Sequence, residues 1–110
     1  MQPYALDDEL LEQVVQRIVD TVQPDKIILF GSRARGEAGK RSDVDLLVVK
    51  KSDEPRYRRS VPIYLALRDI QVPMDVVVFT PEEIEEWKAV RQAFVTTAVR
   101  EGRVVYERAA

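Results

Sequence analysis

Two aspartates at the start of an apolar run are the residues of this sequence best suited to chemistry. Asp43 and Asp45 flank Val44 and lead into the apolar segment Leu46–Val49. Because side chains alternate along a β-strand, both carboxylates are expected on one face, about 7 Å apart. Carboxylate oxygens are the ligands that Mg²⁺ prefers in proteins. The spacing therefore predicts a site for a hard divalent cation.

A glycine-serine turn precedes these aspartates. Gly31 and Ser32 follow a short apolar run, and ten residues separate Ser32 from Asp43. Glycine permits an unusual φ and close backbone approach, and backbone N–H groups with a hydroxyl bind phosphate oxygens. Arg33 and Arg35 are candidates to neutralise phosphate charge, with solvated loop positions as the alternative. The turn and the aspartates together predict an enzyme site for a nucleoside triphosphate.

A third carboxylate occurs at the start of a later apolar run. Asp75 stands after Pro73 and before Val76–Phe79. Three clustered carboxylates repel one another unless a cation neutralises them, so the group predicts metal. Two ions about 4 Å apart suit nucleotidyl transfer, with Asp43 and Asp45 sharing both and Asp75 holding the ion nearer the nucleophile. The alternative for Asp75 is a strand-edge residue that caps local N–H groups.

The composition narrows the classes of protein and of site. The chain has 110 residues, 45% hydrophobic and 33% charged, which predicts one globular domain over residues 1–110. It contains no histidine and no cysteine, which excludes imidazole bases, Ser-His triads, disulfides and thiolate metal sites. A net charge of −2 predicts no direct binding of nucleic acid. No signal-peptide pattern or membrane-length apolar run is seen, which predicts a cytoplasmic protein without membrane contact.

The elements that must position these residues follow from apolar spacing. The first helix is predicted from Asp7 to Val22 and is ended by Pro24, and a second lies within 56–71. Thr80 is predicted to begin a further helical pattern, continuous or broken once, that Gly102 ends. Four strands are predicted, the last at a sheet edge: Lys26–Phe30, Val44–Val49, Met74–Phe79 and Arg103–Glu107.

The chemistry constrains how these strands are arranged. For Gly31 to lie beside Asp43 and Asp45, the first two strands must be antiparallel neighbours. For Asp75 to join them, the second and third strands must run parallel, linked by a right-handed helical crossover. Continuous apolar strands also need helices on both faces. The prediction is an α/β (α+β) fold: a small mixed β-sheet of about four strands with helices packed on it.

Several stretches match a known family. Residues 31–36 read Gly-Ser-Arg-Ala-Arg-Gly and residues 42–48 read Ser-Asp-Val-Asp-Leu-Leu-Val. With the aspartate strand at 74–78 and the closing segment 102–107, this pattern resembles the DNA polymerase β-like nucleotidyltransferase superfamily. Within it, the chain is most similar to the minimal nucleotidyltransferases (MNT). The resemblance implies the polymerase β-like fold, two Mg²⁺ ions and ATP as substrate.

The resemblance also implies a partner. MNT proteins are commonly encoded beside a HEPN-family RNase toxin and act as its antitoxin, transferring AMP to a toxin tyrosine. Larger relatives that modify antibiotics carry an extra helical domain, for which 110 residues leave no room, so the acceptor is expected from another molecule. The alternatives are an antitoxin that neutralises its partner by binding alone and a nucleotidyltransferase for a small, antibiotic-type molecule.

Association with a partner or with a second copy needs an exposed surface. Apolar residues of the first helix, or those around Trp87 and Phe94, are candidates for a homo- or hetero-oligomer face. Core packing is the alternative for most of them.

Overall fold

A computed structural model describes residues 8–31, 44–90 and 93–109. Its helices and strands match the apolar segments of the sequence closely. In chain order they are α1 (Asp8–Val22), β1 (Lys26–Phe30), β2 (Val44–Val49), α2 (Arg56–Arg59), α3 (Val61–Ala66), β3 (Met74–Phe79), α4 (Pro81–Trp87), α5 (Phe94–Glu101) and β4 (Arg103–Glu107).

The four strands form one mixed sheet in the order β3-β2-β1-β4. Strand β1 pairs antiparallel with both β2 and β4, whereas β2 and β3 run parallel. The predicted directions of the first three strands and the edge position of the last are therefore confirmed. Parallel neighbours need a crossover connection, and here α2 and α3 provide it between β2 and β3.

The sheet is covered on both faces, as its continuous apolar strands predicted. Alternate residues of β1, β2 and β3 belong to two separate core clusters. The first cluster packs the sheet against α1 and α3 and contains Leu11, Val14, Ile18, Ile27, Leu29, Val44, Leu46, Val48, Ile63, Leu67, Val72, Val76 and Val78. The second packs the other face against α5 and contains Ile28, Leu47, Val49, Phe79, Val95 and Ala98.

Helix α1 packs its apolar face against the first core cluster. Val14 and Ile18 are fully buried, while Glu12 and Gln16 on the opposite side are exposed. Burial of an aliphatic side chain of this size contributes roughly 1.5–3 kcal/mol to folding. The apolar residues of the first helix are thus mostly core rather than a surface for association.

The crossover differs from a single long helix within residues 56–71. Ser60 separates α2 from α3, and Pro62 lies in the first turn of α3. Proline has no N–H to donate to the carbonyl of Arg58, and its ring clashes with that carbonyl in a continuous helix. The break therefore follows from Pro62.

Thr80 begins the last helical region and Gly102 ends it, as predicted. Thr80 Oγ1 accepts a hydrogen bond from the Glu83 N–H at 3.1 Å, and Glu83 Oε1 accepts one from the Thr80 N–H at 2.8 Å, which completes a capping box. The region is broken between α4 and α5. Gly102 ends α5, but with φ −80° rather than a left-handed conformation. Its Cβ would lie 2.4 Å from Ile28 Cγ2, so close packing requires this glycine.

Among the described residues, none of the helices combines the length and the apolar character needed to span a lipid bilayer.

Candidate active site

Three side chains form a line across neighbouring strands at one end of the sheet. Phe30 at the end of β1 pairs in register with Asp45 of β2, and Asp45 pairs with Asp75 of β3. Side chains of paired residues project from the same face, and these three share the face of the second core cluster. We call Phe30, Asp45 and Asp75 the site row. The predicted meeting of Asp45 and Asp75 is confirmed.

Gly31 makes the closest backbone approach to the site row. Its φ is +75°, a conformation that residues with a side chain rarely adopt. A Cβ at this position would lie 2.4 Å from Asp45 Oδ2 and 3.3 Å from Asp45 Cγ. The backbone of Gly31 therefore lies directly against the Asp45 carboxylate, and the position excludes any larger residue. The close approach predicted for this glycine was to phosphate, and that stays a prediction.

Asp75 occupies the outer edge of the sheet, where its carboxylate is exposed. The crossover helices hold the outer edge of β3, the strand that contains Asp75. The Val76 N–H donates a hydrogen bond to the hydroxyl of Tyr64 at 2.7 Å, and Arg59 Nη1 donates one to the carbonyl of Val78 at 3.3 Å. The outer edge of β3 has no neighbouring strand, so side chains from α2 and α3 bond the N–H and carbonyl groups that such a strand would bond. They fix the segment that carries Asp75.

The chemistry of the pair suits Mg²⁺. Asp45 and Asp75 supply carboxylate oxygens from adjacent strands. Within residues 8–31, 44–90 and 93–109, no group of three or more acidic, histidine or cysteine side chains comes together. Asp43, the remaining carboxylate of the predicted group, lies outside the described residues, as do Ser32, Arg33 and Arg35.

An aromatic group near the site row was not recognised as part of the site from the sequence. The ring of Phe94, at the start of α5, makes an edge-on contact with Phe30, with centroids 5.2 Å apart. It also approaches Phe79 at 6.4 Å, and the Arg56 guanidinium lies 4.5 Å from the Phe79 centroid. Phe94 nevertheless remains 48% exposed, and Trp87 is 42% exposed. Apolar spacing identified these residues but could not show which strand end they approach.

Two arginines of the crossover make structural contacts. Arg59 Nη1 and Glu83 Oε1 form an ion pair at 2.7 Å, with the two side chains only 9% and 22% exposed. The hydrogen bond from Arg59 holds the pKa of the Glu83 carboxyl below its ordinary value, and the Thr80 N–H adds to the effect. This pair links α2, which precedes β3 in the chain, to α4, which follows it.

Comparison with known proteins identifies the family to which this site belongs. A family model described as "Nucleotidyltransferase domain" matches residues 9–101, which include the whole site row. The chain belongs to the nucleotidyltransferase domain family. Membership of the nucleotidyltransferase superfamily, predicted from the glycine-serine turn and the aspartates, is thereby confirmed. The narrower assignment to the minimal nucleotidyltransferases stays a prediction.

Two relatives of this nucleotidyltransferase domain illustrate the match. A protein of Methanocaldococcus jannaschii named "Putative protein adenylyltransferase" is 44% identical over 63 residues, or 57% of the chain. The chain spans about 40% of that relative's length. The crystal structure of a "putative nucleotidyltransferase" from Sulfolobus solfataricus superposes with a TM-score of 0.63 at 23% identity, covering 91% of this chain and 79% of that one. The latter likeness confirms the predicted fold.

Proposed function

We propose that this chain transfers AMP from ATP to a hydroxyl group of a partner protein. The observation that carries the proposal is the in-register pair of Asp45 and Asp75, with Gly31 lying against the Asp45 carboxylate. Two acidic side chains on adjacent strands supply the carboxylate oxygens that Mg²⁺ prefers, and a glycine turn beside them suits binding of phosphate oxygens through backbone N–H groups.

The residues have distinct roles in this reaction. Asp75 and Asp45, together with Asp43 two positions before Asp45 in the sequence, would hold two Mg²⁺ ions. When bound, these ions lower the pKa of the acceptor hydroxyl and stabilise the leaving pyrophosphate. Gly31 and Ser32 bind phosphate oxygens, and Arg33 and Arg35 neutralise their charge.

The covalent change is a substitution at the α-phosphorus of ATP. The acceptor oxygen forms a bond to the α-phosphorus while the bond from that phosphorus to the bridging oxygen breaks. Pyrophosphate leaves, and Asp75 accepts the proton of the hydroxyl. Asp75 suits this role because its exposed carboxylate lies at the edge of the sheet, where a second protein has access.

The proposed acceptor is a tyrosine of a HEPN-family RNase toxin encoded beside this chain, for which the chain acts as the antitoxin. A protein acceptor is supported by the name of the Methanocaldococcus relative. The toxin partner and the tyrosine rest on the resemblance of residues 31–36 and 42–48 to the minimal nucleotidyltransferases.

Intact-mass measurement tests this function directly. The purified chain is mixed with the neighbouring helical RNase, ATP and Mg²⁺, and both masses are recorded. We expect the partner to gain one or more AMP units. Asp45→Asn and Asp75→Asn should abolish the gain, because each removes a negative charge from the metal site. Chelation of Mg²⁺ should have the same effect.

The matched control is Glu85→Gln, which removes an exposed carboxylate on α4 away from the site row. It should leave the mass gain unchanged. Neutralisation of the toxin without any mass change, unaffected by the Asp45 and Asp75 variants, would show an antitoxin that acts by binding. A partner that neither binds nor gains mass, combined with AMP transfer to an aminoglycoside, would identify a small-molecule enzyme instead.

A further inference from the structure

Phe94 is an exposed aromatic ring fixed beside the site row. Its position at the start of α5 places it on the sheet face that carries Asp45 and Asp75, because its ring contacts Phe30 and Phe79 of that same face. Nearly half of the residue, 48%, is accessible to solvent. Phe94 therefore presents an accessible aromatic surface beside the site row.

The contacts of Phe94 hold it in place without covering it. Phe30 meets it at an interplanar angle of 76°, an edge-on arrangement, and Phe79 lies at 43° with centroids 6.4 Å apart. Phe79 is itself 5% exposed and is covered from above by Arg56. One side of the Phe94 ring system is thus anchored to the core, while the remainder is available to a flat, apolar ligand.

We propose that Phe94 is the stacking platform for the base of the nucleotide and sets a preference for purines. The inference rests on the proposed function, in which Asp45, Asp75 and Gly31 hold the triphosphate. Phe30 pairs with Asp45 and touches Phe94, so one side chain separates the carboxylate from the exposed ring. A nucleotide whose phosphates lie at Asp45 extends its ribose and base across this face towards Phe94.

The chemistry of stacking explains why the ring is exposed and why purines are favoured. A base stacked on an aromatic side chain is held through its π-face, without hydrogen bonds to its edges. Purines present two fused rings and therefore bury more surface on Phe94 than pyrimidines do. We expect ATP and GTP to bind more tightly than CTP and UTP, with modest discrimination between the two purines.

Equilibrium binding of nucleotides, measured without an acceptor protein, tests this role separately from catalysis. Calorimetric titrations with ATP, CTP and tripolyphosphate, each with Mg²⁺, compare the wild type with Phe94→Leu and Phe94→Trp. Phe94→Leu should weaken ATP binding about tenfold, equivalent to about 1.4 kcal/mol, and leave tripolyphosphate binding unchanged. The preference for ATP over CTP should shrink, and Phe94→Trp should retain it.

Trp87→Leu is the matched control, since Trp87 is a comparably exposed aromatic residue at the end of the neighbouring helix. It should leave all three affinities unchanged. Equal ATP affinity in the wild type and Phe94→Leu would overturn the inference and leave the proposed function standing. Equal losses for ATP and tripolyphosphate would overturn it as well, since they indicate a general disturbance of the site. If the wild type binds neither ATP nor tripolyphosphate, the proposed function is overturned together with the inference.

Discussion

The hydroxyl oxygen of Tyr64 accepts a hydrogen bond from the Val76 N–H at 2.7 Å, on the outer edge of the sheet. Strand β3 pairs with β2 on one side only, and Val44 donates to the carbonyl of Pro73 on that inner side. Bonding groups alternate between the two sides of a strand, so the Val76 N–H points outward and has no strand to receive it. Tyr64 satisfies this donor next to Asp75.

Tyr64→Phe should therefore lower stability and loosen the strand beside Asp75. The lost hydrogen bond is expected to cost about 1 kcal/mol of unfolding free energy, measured by urea denaturation. The Mg²⁺ concentration needed for half-maximal AMP transfer should rise, because Asp75 is held less firmly. Tyr57→Phe is the control, since Tyr57 is 79% exposed on α2, and it should alter neither quantity. Equal Mg²⁺ requirements in the wild type and Tyr64→Phe would limit Tyr64 to a structural role.

Gly31→Ala should impair the site more than it impairs the fold. A positive φ costs an alanine roughly 1–2 kcal/mol, and the new Cβ would force the Asp45 carboxylate to move from its present place. A displacement of about 1 Å at a reacting centre lowers activity by about 100-fold. We therefore expect a large loss of AMP transfer, measured by intact mass over time, with a decrease of only several degrees in melting temperature.

Gly102→Ala is the contrasting variant. Its Cβ would meet Ile28 Cγ2 and the carbonyl of Ala98, away from the site row. Stability should fall at least as far as in Gly31→Ala, while folded protein at low temperature keeps its affinity for Mg²⁺ and tripolyphosphate. If both glycine variants lose affinity to the same degree, the loss reports general destabilisation, and the specific role of Gly31 is wrong.

The positions of the strands could be predicted from sequence because each is a short, continuous apolar run. The four predicted strand ranges agree with those observed, and the need for Gly31, Asp45 and Asp75 to meet correctly fixed two strand directions. The requirement that these residues meet thus predicted strand directions that apolar periodicity alone does not determine. The helical segment within 56–71 is broken at Ser60 because Pro62 cannot continue a helix that begins at Arg56.

The parts that sequence did not predict depend on contacts between distant elements. Nothing in the run Arg56–Arg59 shows that one arginine pairs with Glu83 and another covers Phe79. Phe94 was identified as apolar, but its exposure and its contact with Phe30 arise from the angle between α5 and the sheet. Such contacts join residues that are tens of positions apart and follow from the packed structure rather than from spacing.

Mg²⁺ should stabilise the fold through the site row. A ligand that binds only the native state adds RT ln(1 + [L]/Kd), about 1.4 kcal/mol at ten times its dissociation constant. Titration of Mg²⁺ should therefore raise the unfolding midpoint in urea. Asp75→Asn should remove most of this increase while changing stability little without metal, because Asp75 is exposed. The same increase in the wild type and the variant would show that Asp75 is not a ligand.

The Arg59–Glu83 pair should make the stability of the fold depend on pH in the acidic range. Arg59 holds the pKa of Glu83 below its ordinary value of 4.5, so the unfolded chain takes up a proton before the native one does. The stabilisation is fully present above about pH 4.5 and is lost as pH falls through the lower native pKa. Acidification should therefore weaken the link between α2 and α4.

Glu83→Gln measures this contribution because glutamine preserves the cap of Thr80 but cannot carry charge. At neutral pH the variant should be less stable by about 2 kcal/mol, since a poorly exposed guanidinium loses its anionic partner. The difference should shrink as urea denaturation is repeated at lower pH, because the wild-type carboxyl becomes neutral too. Glu85→Gln, in an exposed pair with Lys88, should differ from the wild type by less than about 0.5 kcal/mol at neutral pH. A difference for Glu83→Gln that stays constant across the acidic range would mean that shape and capping, rather than charge, hold α4 against α2.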